Sequence, residues 1–459
     1  MLSSVAFVQA KTTSKRMMKK IAILLFSALL LLSIKSNAQA QDATIAELQK
    51  QLDELKREVK RLDASYEEDN AFLDKLKKLK ISGFIQSQYQ VGESAGGFST
   101  YAGGNFDEGT RDRFLVRRGR LRLDYSSSWS TYAFHIDVTQ GGVVIKDVFL
   151  TVKEPWVKSF SLTAGSFKWP FGYQILYPAH QRPAPEWSRV FETILPAARD
   201  LGAMLTYSPE SGCLSFLTVN AGLFNGTGNT TTENDRNKDF VGQIKFALPF
   251  KKQHFTVDGG VSLYAGKVTS NTRYIYDDVR NAQFSIDSSA GNIGKCFQRT
   301  YYGGDLQVYY EVPGLGQAAL KGEFATGKQP STGASAKFYK STSSSDALYM
   351  RNFTGWCVDY IQNIGSKNQL VLRYDEFDPN TDADKNDIGA PGANFTAADI
   401  KYATVGLGWV YFWDECLKFT VYYDMVTNEK VNAAATGSLA SYTKDIHDNV
   451  LTVRSQFKF

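Results

Sequence analysis

Arginines recur at every second position in one short stretch of the sequence, and this spacing could form an anion-binding surface. Arg118, Arg120 and Arg122 alternate with glycine and leucine. Alternate side chains of a β-strand point to the same face, so the three guanidinium groups would line up on one side. Guanidinium groups bind phosphate and carboxylate through paired hydrogen bonds. The pattern predicts a strand with one cationic face and one apolar face.

A second set of basic residues lies in the segment 167–199, which is also rich in aromatic residues and proline. Its cations are Lys168, Arg182, Arg189 and Arg199. Proline restricts the backbone, so the segment is predicted to be a stiff loop. Folded into a pore, such a loop would narrow it and attract anions, because rings of Arg or Lys select for anions.

Acidic residues leave a second interpretation of the arginines open. Asp137, Asp147, Asp258 and Glu323 occupy polar positions of other strand-like runs and could balance the arginines from across a lumen. An anion-selective wall and a charge-balanced wall are therefore both compatible with the sequence.

Catalytic and metal-binding patterns are weak by comparison. The four histidines are not spaced as metal ligands. His135 and Asp137 share a strand face, which favours lumen polarity over a catalytic dyad, although a hydrolase stays open as a minor alternative. The four cysteines lie far apart, and we expect most of them to be unpaired, with a disulfide as the alternative. We assign no catalytic residue, no metal and no cofactor.

The elements that must position these residues are short runs of alternating polarity from residue 81 onward. In water such strands bury their apolar face, whereas in an outer membrane that face meets lipid and the polar face meets a wet lumen. We count about 16 strands, an even number as bacterial barrels require. The chain ends on the apolar face of its last run, at Phe459.

Connections between the runs support an antiparallel transmembrane barrel. Short links at 126–128, 313–315 and 414–415 alternate with longer polar ones. The longer connections are predicted around 92–112, 167–199, 225–238, 267–299, 326–352, 378–400 and 428–447, with 140–142 as a tight exception in the long series. A barrel with both chain ends in the periplasm predicts this parity.

Two segments precede the predicted barrel of residues 81–459. Residues 1–40 have the basic start, apolar run and small-residue cleavage site of a signal peptide, with translation starting at Met17 or Met18 and cleavage after Ala40. Residues 41–80 carry an apolar residue every third or fourth position, which predicts a short α-helical coiled coil in the periplasm. A single helix lying against its own barrel is the alternative.

Charge excludes a nucleic-acid partner as the reason for the basic residues. The formal net charge is +5, and segment 81–459 holds 37 basic and 37 acidic residues. Bulk charge therefore gives no general affinity for anionic surfaces, and any anion preference must come from the local placement of basic side chains.

Several of these motifs together resemble the phosphate-selective porin O and P family. The resemblance is carried by the runs 117–123 and 146–150, by Gly165 to Gly172 with its G-x-F-K-x-P-F-G pattern, and by the Arg-Asp-Leu-Gly run at 199–202. A signal peptide and coiled coil before the barrel look like the version found in Bacteroidetes.

The resemblance implies trimers of 16-stranded barrels with an inward-folded third loop. It implies loop or constriction roles for Lys168, Arg182, Arg189 and Arg199, and wall roles for Arg118, Arg120 and Arg122. The function expected is passive diffusion of small anions such as phosphate through the outer membrane, with a general porin or an adhesive surface barrel as alternatives. The partners expected are two further copies of the chain, outer-membrane lipid and the barrel-assembly machinery, which would read the C-terminal strand.

Overall fold

The computed structural model describes residues 38–97, 105–196, 198–233, 235–250, 254–339 and 346–459, without the side chains of residues 38–45 and 71. The predicted signal peptide, including Met17 and Met18, lies almost wholly outside these residues. The chain divides after Lys77 into two compact units.

The first unit contributes one long helix, α1, which spans Ala38–Lys77. It has the strong helix formers Ala, Leu, Glu, Lys, Gln and Arg at most positions and no internal glycine or proline. Its apolar stripe is open, since Leu55, Leu62, Tyr66 and Leu76 are each more than a third exposed. The predicted helix is present, and its assembly into a coiled coil stays a prediction. No helix among the described residues is long and apolar enough to cross a bilayer.

The second unit is built from strands. The first nine are β1 (Leu79–Gly92), β2 (Asp112–Ser126), β3 (Ser130–Thr139), β4 (Gly142–Lys153), β5 (Phe160–Lys168), β6 (Arg199–Tyr207), β7 (Leu217–Phe224), β8 (Asp239–Phe250) and β9 (Phe255–Thr269). The others are β10 (Ile275–Arg280), β11 (Gln283–Asp287), β12 (Cys296–Val312), β13 (Gly316–Thr332), β14 (Leu348–Ile364), β15 (Asn368–Asp378), β16 (Tyr402–Phe412), β17 (Leu417–Asn428) and β18 (Val450–Lys458).

Strands β1–β9 and β12–β18 form a closed 16-stranded antiparallel barrel, which confirms the predicted fold class. β9 pairs directly with β12, so the hairpin β10–β11 is an insertion in a loop. Closure is made by β1, which pairs with both β2 and β18. At the chain end, Gly83 and Phe459 exchange two backbone hydrogen bonds of 3.2 and 3.1 Å. Closure leaves none of the 16 described barrel strands at an open edge, as a lipid environment requires.

The two faces of the barrel wall differ in polarity as the alternation predicts. Outward residues such as Val261, Leu306 and Trp409 are about half exposed, whereas inward residues such as Gln243 and Gln307 are buried inside. An apolar outer face around a polar interior is the arrangement of a transmembrane barrel.

Connection lengths alternate as predicted. The short connections are 127–129, 154–159, 208–216, 251–254, 313–315, 365–367 and 413–416, and they share one end of the barrel. The opposite end carries the long connections and the tight turn 140–141. The first strand begins at Leu79, two residues before the predicted barrel boundary. The connection after β9 contains the hairpin β10–β11, where the sequence indicated only a polar loop.

The long loops are not loose, because several of them pack around a shared apolar cluster. Its buried members are Phe284, Tyr349, Ile388, Phe395, Ile400, Val431, Ala435 and Tyr442. Beneath it, the fully buried Arg351 pairs with Asp399 at 2.8 Å and also donates to Thr332 O. One end of the barrel therefore carries an ordered cap.

Candidate functional site

The connection between β5 and β6, residues 169–198, enters the lumen; we call it the inward loop, and residue 197 lies outside its described part. Gly172 N donates to Ser262 Oγ at 2.9 Å, and Gln243 Nε2 donates to Gly172 O at 2.7 Å. Elsewhere in the loop, His180 O accepts a hydrogen bond from Gln456 Nε2 at 3.0 Å. These contacts reach β8, β9 and β18, so the loop crosses the interior of the barrel.

Apolar packing explains why this segment folds inward. Trp169, Phe171, Val190 and Phe191 are all buried within the lumen. They form part of one cluster with the wall residues Phe224, Val241, Tyr264, Tyr301, Ala325, Phe353 and Phe377 and with Phe338 from a neighbouring long loop. Burying an aromatic side chain contributes roughly 1.5–3 kcal/mol. The short helix α2 (Arg189–Ile194) supplies several of these side chains.

The loop is tied to the wall by one carboxylate, Glu186. It accepts hydrogen bonds from Arg117 Nε at 2.9 Å, from Arg118, and from Arg454 Nη2 at 2.7 Å. Three arginines around a carboxylate that is 4% exposed form a buried charge cluster. Arg454 Nη1 also donates to Pro185 O at 2.8 Å, so the same cation holds the loop backbone.

The predicted wall arginines face the lumen, but each has a carboxylate partner. Arg118 pairs with Glu186 of the inward loop, and the other arginines pair with carboxylates on β2, β3 and β4. These pairs are Arg120 with Asp137 at 3.1 Å, Arg122 with Asp124 at 2.8 Å, and Arg199 with Asp147 at 2.7 Å. The charge-balanced interpretation placed Asp137 and Asp147 across the lumen from the arginines, and this placement is wrong. They lie on β3 and β4, beside the arginine strand β2, and neutralise it locally.

The remaining predicted cations belong to the inward loop or its base. Lys168 Nζ donates to Leu176 O at 3.0 Å and forms no ion pair with a described residue. Arg182 lies over the Trp187 ring at 4.5 Å, and its buried Nε and Nη1 have no acceptor among the described residues. Arg189 lies over the Tyr402 ring at 4.0 Å, closer to the long-loop end.

Lys146 is a lumen cation that the sequence analysis did not select. It makes no hydrogen bond or ion pair with described residues through its Nζ, and Arg120, Arg199 and Asp137 are neighbouring charges. The pairing of β3 with β4 shifts between His135 and Ile136, so Lys146 is the extra residue of a β-bulge. The bulge interrupts alternation and lets Lys146 and Asp147 share the inner side.

Arg117 was missed for the same reason. Gln86 pairs with Arg118, whereas Ser87 pairs with Val116, so Arg117 is the extra residue of a second bulge. Strict alternation would place it on the lipid face, yet it reaches Glu186 inside. No glycine or turn residue marks either bulge in the sequence.

Carboxylates dominate the facing wall. Asp258 on β9 and Asp305 on β12 each have one buried oxygen without a hydrogen-bond partner among the described residues. Glu323 on β13 accepts from the backbone N–H groups of Tyr173 and Gln174 at 3.0 and 3.1 Å. The lumen therefore has an excess of cations on β2–β6 and of carboxylates on the opposite side, with the inward loop between them.

Metal and thiol chemistry find little support in the described part of the chain. It contains no group of three or more His, Cys, Asp or Glu placed to hold a metal ion. Cys213, Cys296, Cys357 and Cys416 are all free, and Cys357 is buried. The His135 ring lies 2.6 Å from Asp147 rather than bonding Asp137, and Asp147 is shared with Arg199.

Comparisons with known proteins show similarity of fold. Neither a protein-family model nor a curated protein sequence matches the chain. OprB of Pseudomonas putida, in its high-pH structure, superposes with a TM-score of 0.54 at 10% identity, covering 85% of this chain and 96% of that one. The outer membrane channel DcaP of Acinetobacter baumannii gives 0.49 at 12% identity, covering 83% and 97%. The anion-selective porin from Comamonas acidovorans gives 0.46 at 10% identity, covering 83% and 99%.

Proposed function

We propose that the chain is an outer-membrane porin that lets small hydrophilic solutes diffuse passively, with a preference for small anions. The observation that carries the proposal is the inward loop, which narrows a polar lumen between a cation-rich and a carboxylate-rich wall. A closed barrel of this size encloses an aqueous channel unless segments fold into it. No part of the proposal requires a cofactor or a catalytic residue.

The anion preference rests on the cations that lack carboxylate partners among the described residues. Lys146 and Lys168 lie on the β2–β6 wall, and Arg182 lies in the inward loop. The paired arginines contribute less, because each guanidinium is already bound by Asp or Glu. This distribution supports a moderate anion preference rather than the strict phosphate selectivity that the resemblance to the O and P family implies.

Assembly and location belong to the same proposal. The long-loop end would face outward and the short-turn end the periplasm, where α1 would form a coiled coil between three copies of the chain. The signal peptide of residues 1–40 would direct export, and the terminal strand β18 would be recognised by the barrel-assembly machinery.

Reversal potentials in planar bilayers under a salt gradient test the channel proposal directly. We expect a current that reverses on the anion-selective side. A cation-selective reversal would refute the anion preference. A purified, folded protein that conducts no ions would refute the channel and favour the alternative, an adhesive surface barrel whose loops bind a partner.

A further inference from the structure

A cavity of about 490 Å³ opens at the short-turn end of the lumen, beneath the inward loop; we call it the vestibule. Its defining side chains are Tyr177 and Gln181 from the loop and Tyr309, Gln317, Lys321 and Gln369 from the wall. The volume lies in the range of about 300–1,000 Å³ found for small-molecule sites. It is larger than a single inorganic ion needs.

One buried cation, Lys321, lines this cavity without forming an ion pair with a described residue. Lys321 is only 5% exposed, and its Nζ forms no hydrogen bond or ion pair with any residue that the structure describes. Two aromatic rings hold the ammonium, with Tyr177 at 4.4 Å and Tyr309 at 5.3 Å. A buried ammonium without an acceptor is costly, so an anionic ligand would stabilise it.

Nearby carboxylates do not fill this role. Asp359 is held by Arg373 Nε at 2.6 Å and by the Tyr173 hydroxyl at 3.1 Å. Asp258 interacts electrostatically with Lys321, as Asp359 does, but neither carboxylate forms an ion pair with its ammonium. Glu311 lies at the vestibule mouth, exposed, with His254 3.6 Å away. The Lys321 ammonium therefore has donor capacity available to a ligand.

The rest of the lining is suited to a ring that carries hydroxyl groups. The Tyr177 and Tyr309 rings offer flat faces for carbon-bound hydrogens, and the amides of Gln317 and Gln369 can donate to and accept from hydroxyls. Gln369 donates to Asn363 Oδ1 at 2.8 Å, which fixes one amide in place. Ala319 and Ile361 supply the apolar part of the lining.

We propose that the vestibule binds an anionic monosaccharide, with its carboxylate or phosphate on Lys321 and its ring against Tyr177 and Tyr309. This inference deepens the proposed function, because such a ligand would reach the vestibule from within the channel or from its periplasmic mouth. It assigns a recognition site to the carboxylate-rich wall, away from the cations of β2–β6.

Calorimetric titration of the detergent-solubilised full-length protein tests the site independently of ion conduction. The probes are glucuronate, glucose 6-phosphate, glucose and inorganic phosphate. We expect one or both sugar anions to bind more tightly than glucose and than phosphate, and the two sugar anions distinguish a carboxylate from a phosphate ligand. Phosphate binding as tightly as glucose 6-phosphate, with no binding of glucuronate, would overturn the sugar assignment.

Variants decide whether Lys321 is the anion ligand. Lys321→Met should weaken binding of the sugar anion at least about tenfold, and Lys321→Arg should retain most of it. Lys245→Met, at an inward lysine outside the vestibule, should bind as the parent does. Equal affinity in Lys321→Met and the parent would refute the site.

Tyr309→Ala provides a second test that keeps the cation, in case Lys321→Met does not fold. It should weaken the sugar anion by several-fold and leave weak phosphate binding unchanged, whereas an unchanged sugar affinity would refute ring stacking. A parent protein that binds the sugar anion but conducts no ions would count against the proposed channel alone. A parent protein that conducts ions but does not bind the sugar anion would count against the vestibule alone.

Discussion

Arg454, on the last strand of the barrel, donates a 2.7 Å hydrogen bond from its Nη2 to Glu186 Oε1 in the inward loop, 268 residues earlier in the chain. The contact joins the strand that closes the barrel to the segment that narrows its lumen. Arg117 and Arg118 bind the same carboxylate from β2, on the other side of the closure strand β1. Barrel closure and loop position are therefore stabilised by one charge cluster.

Replacing Glu186 tests this cluster. Glu186→Gln leaves buried arginines without their counter-charge, and breaking a buried ion pair typically costs about 3–5 kcal/mol. We expect lower heat resistance of the folded band in SDS electrophoresis and, because positive charge is freed in the lumen, a reversal potential shifted toward anions. Glu415→Gln, at an exposed turn position, should change neither. If Glu186→Gln has the same heat resistance and reversal potential as the parent, the cluster does not position the loop.

Lys146 gives the sharpest test of selectivity. Its ammonium forms no ion pair among the described residues, so Lys146→Glu should reduce the anion preference more than Arg122→Glu, which makes the same charge change at a cation already bound to Asp124. The measurement is the reversal potential in a salt gradient. Lys385→Glu, in an exposed long loop, makes the same charge change outside the lumen and controls for net charge. Equal shifts from Lys146→Glu and Lys385→Glu would remove Lys146 from the selectivity region.

Alternation along the strands was sufficient to predict the barrel, its strand number and the lumen position of the arginines on β2. It could not reveal the bulges at Arg117 and Lys146, because an extra residue in one strand is defined by the register of its partner. It also could not show that Arg199 meets Asp147, since β5 lies between their strands. These pairings depend on the closed barrel as a whole, whereas alternation is a local property.

The inward loop likewise has features that its local sequence predicts and contacts that depend on the closed barrel. Its aromatic and basic composition indicated a stiff segment, and the sequence resemblance implied that it folds inward. Glu186 meets Arg118 and Arg454, which are 68 and 268 positions away on opposite sides of the closure strand. Glu323 meets the loop backbone 150 and 149 positions away. Only the three-dimensional arrangement shows that the Arg118 guanidinium is bound by the carboxylate of Glu186 in the loop and is therefore not open to a solute.

The cap of long loops depends on the pair Arg351–Asp399. Both side chains are fully buried, so Arg351→Met should cost about 3–5 kcal/mol through the uncompensated Asp399. We expect faster protease cleavage within residues 379–401 and little change in the barrel itself. The double variant Arg351→Met with Asp399→Leu should recover part of the resistance, because no buried charge remains unpaired. Arg280→Met, at an exposed position, serves as control, and cleavage as slow as in the parent would contradict a structural role for the pair.

Asp448, in the long loop before β18, should make stability depend on pH. Burial raises the pKa of its carboxyl to about 6, an effect partly opposed by Arg189 and reinforced by Asp445. A raised pKa means that the folded protein favours the protonated form. Protonated Asp448 therefore contributes to the stability of the folded protein. This contribution is complete below pH ~4, the ordinary pKa of Asp, and is lost as the pH rises through about 6.

Asp448→Asn should remove this part of the pH dependence. We measure the difference in heat resistance between the variant and the parent at both pH values. We expect this difference to favour the variant more at pH 8 than at pH 4. Asp107→Asn, where the carboxyl is exposed in another long loop, should follow the parent at both values. A difference between Asp448→Asn and the parent that is the same at pH 4 and pH 8 would exclude titration of Asp448 as the cause.

Gly172 lies where the inward loop contacts the inner face of β8 and β9. A methyl group at this position should displace the loop. Its φ is +56°, and an added Cβ would lie 1.7 Å from Glu323 Oε1. Glu323 would have to move, and its hydrogen bonds to the Tyr173 and Gln174 N–H groups would be lost. We expect Gly172→Ala to lower heat resistance and to alter single-channel conductance.

Gly314→Ala isolates the backbone effect, because Gly314 also has a positive φ, +81°, but nothing within 4 Å of the added Cβ. The strain of the left-handed backbone is common to both variants, at about 1 kcal/mol. Only the excess effect of Gly172→Ala measures the contact with Glu323, and equal effects in the two variants would show that this contact does not hold the loop.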